Sequence, residues 1–261
     1  MRQNNISKYK RYAELLLFLT LRQIQVRYKQ TVLGIGWAVL RPFFTMVVFT
    51  IVFSKFAKIP SDGIPYPIFT YSALLPWTFF SSSLTSAVSS LINNASLIKQ
   101  IYFPREIFLL SSILSALFDF ALASIIFIGM MLFYGVSIKV TILFVFPLLA
   151  LMILFTLALS FFLAAFNVYY RDIEALVSFG LQLLMYATPV IYSISAVPAK
   201  YRTLFMLNPL AFIIDSFRRV LVQGLLPDWV FFGVSVMITG VMFILSYIYF
   251  KKAEMQFADI I

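Results

Sequence analysis

Few side chains in this chain could do chemistry, and the missing ones narrow the field first. Histidine and cysteine are absent from all 261 residues, so no Ser–His or Cys–His nucleophile, no disulfide and no thiolate ligand can form. Ten acidic residues with no D-x-D pair make a zinc or di-iron centre, or a site for a metal-bound sugar nucleotide, a poor fit. No Gly-Lys pair occurs, so the G-x-x-x-x-G-K-[ST] loop that cradles nucleotide phosphates is missing as well. What remains is a short set of polar residues inside apolar runs. Arg41 follows "VLGIGWAVL", and Asp119 is the one charge in residues 107–138. An intramembrane carboxylate can serve a proton- or sodium-coupled carrier, or pair with Arg41 or with a polar group of another span. Residues 81–90, "SSSLTSAVSS", carry hydroxyls at seven of ten positions. Such a run packs helices closely through small residues, or lines a path for a polar solute with hydroxyls such as Ser82 and Ser86. Trp77, Phe79 and Phe80 stand just before it; they fit an interfacial belt or a stacking surface for sugar rings. Tyr186 and Tyr192, farther on, are further aromatic candidates for such a path.

The elements that carry these residues are membrane elements. Hydrophobic residues make up 62% of the chain and charged residues 11%, against roughly 25% charged in soluble domains. The mean hydropathy is +0.97. In so apolar a chain the net charge of +10 reads as Lys and Arg at membrane edges touching anionic lipid, and not as a nucleic-acid surface. A spanning helix needs roughly 20 mostly apolar residues. The charges divide the chain into six such runs, near 34–56, 68–92, 107–134, 141–168, 174–194 and 229–250. The fold class expected is an all-α membrane protein of one domain with both termini on the same side. With the termini cytoplasmic, twelve cations lie inside and seven outside, which satisfies the positive-inside rule, chiefly through the N-terminal tail. Arg2, Lys8, Lys10 and Arg11 before Leu15–Leu21 have the outline of a signal peptide, but Arg22 ends the run and no small-x-small site follows, so the segment is expected to be retained.

Two further segments stand apart. Residues 13–30 show helical periodicity, with Leu17, Leu21, Ile24 and Tyr28 on one stripe and Arg22, Gln25, Arg27 and Lys29 mostly elsewhere. This is the pattern of a helix in the membrane interface, serving as an anchor or as a docking surface for a cytoplasmic partner. Residues 195–228 are too charged to span and too apolar for a free loop, and Asn208-Pro209 divides them, as in a pair of interfacial or re-entrant helices. Length decides where the first span begins. From Pro42 only thirteen residues precede Lys55, about 20 Å of helix, against a hydrocarbon core of about 30 Å. The span therefore includes Arg41, which snorkels to the headgroups or faces a polar interior or a subunit interface.

These features together resemble a family. "VRYKQTVLGIGWAVLRPFF" is similar to the opening motif of the membrane subunits of type-2 ABC polysaccharide exporters, at Arg27, Tyr28, Lys29, Thr31, Leu33, Gly34, Trp37 and Pro42. "LLPWTFFSSSL", "LIKQIYFPRE", "NVYYRDI" and "LNPL" follow in the family's order over nearly the whole chain. The resemblance implies a homodimer paired with two ATP-binding subunits, which hold the ATP and Mg that this chain does not. It also implies export of undecaprenyl-diphosphate-linked polysaccharide, such as O-antigen, across the bacterial inner membrane. By the same resemblance the interface helix and a coupling segment over 95–106 meet the ATPase through Arg22, Arg27, Lys99, Gln100, Tyr102, Arg105 and Glu106. Gly34 and Gly36 then permit the turn between interface helix and span. The chain itself is not expected to be an enzyme. Competing readings are an ABC permease for a drug or small lipid, an ion-coupled carrier or channel acting alone, and a membrane-bound sugar transferase.

Overall fold

Long apolar runs must satisfy their own backbone groups, and the helix does so within one segment. The computed structural model describes residues 2–29, 31–100 and 104–257, and no strand occurs among them. Helix α1 (Arg2–Tyr28) ends in a turn where Gly34 takes φ +52, a left-handed conformation that glycine adopts without a Cβ penalty. Gly36 opens α2 (Gly36–Phe49), so the left-handed step falls on the first of the two glycines. Helix α2 carries Pro42 inside it and continues through π-helical turns to Phe56. Then come α3 (Tyr66–Asn93), α4 (Ala95–Gln100), α5 (Glu106–Phe133), α6 (Val145–Tyr169) and α7 (Ile173–Ala187). Two short helices follow, α8 (Ala199–Met206) and α9 (Pro209–Arg218), and then α10 (Trp229–Glu254). The Asp228 carboxylate caps α10 by accepting from the amides of Val230 and Phe231.

Four segments are long and apolar enough to cross a membrane: Gly36–Phe56, Glu106–Phe133, Val140–Tyr169 and Trp229–Glu254. Six were expected, and the other two fall short for different reasons. Helix α3 has the length, 28 residues, but its hydroxyl-rich half lowers its hydropathy. It is instead the most enclosed of the long helices: most of its side chains from Tyr66 to Leu91 are buried, and it packs chiefly on α5 and α6. Helix α7 is apolar but has 15 residues, about 22 Å at 1.5 Å per residue. The uncharged run continues past Ala187, but Thr188 turns extended, as a residue before proline does.

At one end of the bundle Leu19 of α1, Leu91, Ile98, Phe108, Phe161, Phe250 and Phe257 share one cluster, so the N-terminal helix and the end of α10 lie together. At the other end the non-helical stretch after α7 is buried, and its carbonyls need donors. Arg218, at the end of α9, supplies them. Its guanidinium donates to the carbonyls of Pro189 at 2.8 Å, Val190 at 3.1 Å, Tyr192 at 3.3 Å and Phe69 at 3.4 Å. It also lies 3.8 Å from the Phe69 ring centroid. Arg218 is only 1% exposed; the sequence places it in an outer loop, and the structure places it in the core. The neighbouring loops close over this point. Asp62 accepts hydrogen bonds from Ser193 and from Ser195, the latter at 2.7 Å, and Tyr66 Oη donates to the Ile191 carbonyl at 2.9 Å.

Removing the guanidinium strands several buried carbonyls at once. Arg218→Leu is expected to cost about 3 kcal/mol or more, seen as a lower thermal transition of the detergent-purified chain. Arg218→Lys should recover little, because an ammonium lacks the planar fork. An unchanged transition in Arg218→Leu would show that the clamp does not hold this end together.

Candidate functional site: a polar groove beneath the N-terminal helix

The C-terminal half of α1 is fixed to α5 by polar contacts. Gln23 Nε2 donates to Ser111 Oγ at 3.1 Å and to Ser112 Oγ at 3.3 Å. One turn on, Arg27 forms an ion pair with Asp119, and Tyr28 Oη donates to the other carboxylate oxygen at 2.6 Å. Burial, and next the hydrogen bond to Asp119, push the Tyr28 phenol up to about 12, so it remains a donor at neutral pH. Gln23 and Arg27 lie one turn apart on α1, and Ser112 and Asp119 two turns apart on α5, so each helix presents a polar row to the other. Asp119 is thus paired with the N-terminal helix and not with Arg41. Tyr28, which the periodicity grouped with the lipid-facing stripe, turns toward α5, while Leu17 and Leu21 of that stripe are exposed.

Beneath this contact a cavity of about 550 Å³ opens between α1, α2, α3 and α5. A second of about 320 Å³ adjoins it, and Arg27 and Ser86 border both. The hydroxyl run of α3 divides by face. Ser81, Ser82, Thr85 and Ser86 line the larger cavity, whereas Ser83 is buried beside Leu84, Ala87 and Val88. Helix packing and cavity lining therefore both apply, each to its own side of the helix. Of the aromatic candidates, Phe79 borders the cavity. Trp77 and Phe80 do not: they are 5% and 0% exposed, and Phe80 stacks on Phe155 of α6 with ring centroids 5.8 Å apart. Trp77 lies against Phe80, ring centroids 6.0 Å apart, so both belong to the core, on a different side of α3 from the groove-facing hydroxyls. Tyr186 is exposed on α7 and Tyr192 donates to its carbonyl at 3.2 Å; neither lines the groove. Arg41 is exposed on the α2 wall, its guanidinium carbon 5.8 Å from the Trp37 ring centroid.

The residues expected to meet an ATPase fall into three groups. Lys99 and Gln100 end α4 and are exposed, and exposed Arg22 borders the smaller cavity. Arg27 is held by Asp119. Arg105 and Glu106 are tied to α10: the Arg105 amide donates to Glu254 at 3.0 Å, and Lys251 bridges Glu106 at 2.6 Å and Glu254 at 2.9 Å. The Arg105 guanidinium lies 5.8 Å from the Phe257 ring. Tyr102 lies outside the described residues. Sequence reasoning missed the partnership of Gln23 with Ser111 and Ser112; the spaced polar rows on two otherwise apolar faces were its signal. No cluster of three or more potential metal ligands occurs among the described residues.

Comparison with known proteins bears on what this groove belongs to. Over 249 residues, 95% of each chain, the sequence is 29% identical to the O-antigen export system permease protein RfbA of Klebsiella pneumoniae. It is 32% identical over 221 residues to the O-antigen export system permease protein RfbA of Myxococcus xanthus, covering 83% of this chain and 84% of that one. It is 20% identical over 241 residues to the polysialic acid transport protein KpsM of Escherichia coli, covering 90% and 92%. Residues 14–222, from the N-terminal helix to just past α9, match the ABC-2 type transporter family, to which the chain belongs.

Proposed function

We propose that this chain is the permease subunit of an ATP-driven exporter that moves undecaprenyl-diphosphate-linked polysaccharide, such as O-antigen, across the bacterial inner membrane. The observation that carries this reading is the match along 95% of both chains to an O-antigen export permease. The permease works as a homodimer with two ATP-binding subunits, which bind ATP and Mg, and the polymer passes through a channel between the two permeases. Six segments cross the membrane with both termini cytoplasmic: the four long apolar helices, α3 shielded by its neighbours, and α7 completed by the buried stretch that Arg218 clamps. The geometry supports a route for ATP-driven motion. Exposed Lys99 and Gln100 offer a contact surface on α4, which leads into a foot bolted to α10 through Glu106 and Lys251. The Arg27–Asp119 pair joins α1 to α5 beside the groove.

Three measurements test this. In proteoliposomes holding the permease and its ATPase, a polyprenyl-diphosphate-linked glycan should cross only with ATP; transport by the permease alone, or driven by an ion gradient, would refute the reading. Lys99→Glu should fold normally, because its side chain is exposed, yet lose most stimulation of the ATPase by the permease. Wild-type stimulation would remove α4 from the docking surface. Arg27→Asp and Asp119→Arg should each cut transport by about tenfold or more, from the loss of a charge-assisted contact of about 2 kcal/mol, and the double exchange should restore much of it. Transport at wild-type level in both single variants would exclude the pair from the coupling route.

A further inference from the structure

The groove contains a cation that nothing in it neutralises. Asp119 is the one carboxylate among its described lining residues, and Arg27 and Tyr28 occupy both of its oxygens. Arg41 on the facing wall has no carboxylate among the described residues; its guanidinium has only the Trp37 ring, 5.8 Å away. It sits roughly 7.5 Å along α2 from Gly36 at 1.5 Å per residue, in the first turns of a segment apolar enough to cross a membrane. A guanidinium at that depth calls for an anion or the headgroup layer.

The hydroxyls define what kind of anion fits. Ser82 and Thr85 donate their protons to the carbonyls of Thr78 and Ser81, at 2.6 and 2.9 Å, and Ser81 donates to Thr78 at 3.3 Å. These three therefore present lone pairs to the cavity, and can accept from a ligand but not donate to it. The Ser86 hydroxyl donates to no described residue. Beyond Arg41 the α3 wall thus favours a ligand that brings its own hydroxyl donors. A bare phosphate leaves most of that wall unmatched, and an uncharged sugar leaves Arg41 unmatched. A phosphate esterified to a group carrying hydroxyls satisfies both, and a cavity of about 550 Å³ is within the usual range for a small-molecule site.

We propose that this groove binds the phosphate of a membrane-lipid headgroup that also carries hydroxyls, with Arg41 pairing to the phosphate and the Ser81, Ser82 and Thr85 oxygens accepting from the hydroxyls. Two lipids carry this chemistry: a glycerophospholipid of the bilayer, and the saccharide-bearing polyprenyl diphosphate of the export reading. Only the second of these sources rests on that reading.

The test is binding to the full chain purified in detergent, measured by native mass spectrometry with two probes, phosphatidylglycerol and undecaprenyl diphosphate bearing one sugar. Arg41→Gln should weaken binding of at least one probe by about tenfold or more, the loss expected for one charge-assisted contact. Arg41→Lys should weaken it less, and Lys200→Gln, which removes an exposed cation at the other end of the bundle, should leave it unchanged. Loss confined to phosphatidylglycerol identifies a bilayer lipid, loss confined to the diphosphate identifies the cargo, and loss of both identifies a shared site; each supports the proposal. Unchanged binding of both probes in Arg41→Gln, or an equal loss in Lys200→Gln, overturns it. The readout needs no ATPase. Failed ATP-driven export with the Arg41 effect intact would sink the export reading alone, and normal export with no Arg41 effect would sink this site alone.

Discussion

A charged group in an apolar protein has to find a partner, and three arginines of this chain meet that constraint in three ways. Arg218 is enclosed and forks onto the carbonyls of a non-helical stretch. Arg27 is half-buried and paired with Asp119. Arg41 is exposed on a polar groove, with no carboxylate partner among the described residues. The first solution allows the rest of that end of the bundle to exist. Helix α7 stops after 15 residues, and the chain beyond it leaves carbonyls that no helix satisfies. Buried irregular backbone is stable only when its polar groups are satisfied, and here a guanidinium from the short helix α9 satisfies them. The apparent defect, a span too short to cross, and the apparent anomaly, a cation in the core, are one arrangement.

Helix α3 answers the same constraint differently. Its hydroxyls mostly bond back to the carbonyls one turn earlier, as Ser82 and Thr85 do on the groove face, while the small Ser83 sits on the buried face. Small side chains at Ser83 and Ala87 let neighbouring helices approach closely, which in an apolar medium favours association through contact and not through exclusion of water. A helix too polar to face lipid can therefore stand at the centre of the bundle, with one face left over to line a groove.

Much of this was legible from residue types. Charge-free runs located the long helices, and a Gly-x-Gly ahead of Trp37 marked a sharp turn. The length of the run before Lys55 required Arg41 to lie inside the first apolar segment. What was not legible depends on which residues meet. Asp119 and Arg27 are 92 positions apart, and Arg41 stands in a similar apolar setting, so nothing local chooses between them. Trp77 and Phe80 differ from Phe79 only in direction, and the direction that matters is set by where α6 packs. The early end of α7 did leave a local trace. Pro189 disfavours helix at Thr188, but an uncharged run of 25 residues, 175–199, outweighed one proline when spans were read by charge alone.

Two stretches of α1 are attached by different physics, and that difference decides where the groove can widen. The stretch from Tyr12 to Leu19, which crosses the middle of the helix, contributes Tyr12, Leu15, Leu16 and Leu19 to the cluster at the foot of the bundle. Separating those contacts exposes apolar surface, at about 25 cal/mol per Å². The last turns are held by Gln23, Arg27 and Tyr28 through hydrogen bonds and one ion pair, with side-chain exposures of 28% for Arg27 and 19% for Asp119. Each of those groups can exchange its partner for water, so the net cost of parting them is far below their strength in isolation. A force on α1 therefore bends or lifts its last turns before it dislodges the stretch from Tyr12 to Leu19. Arg27 and Tyr28 of those turns also line the groove. The chain thus places the polar attachment of α1, Asp119 and Arg41 around one cavity, and parting α1 from α5 there exchanges polar contacts and does not break a core.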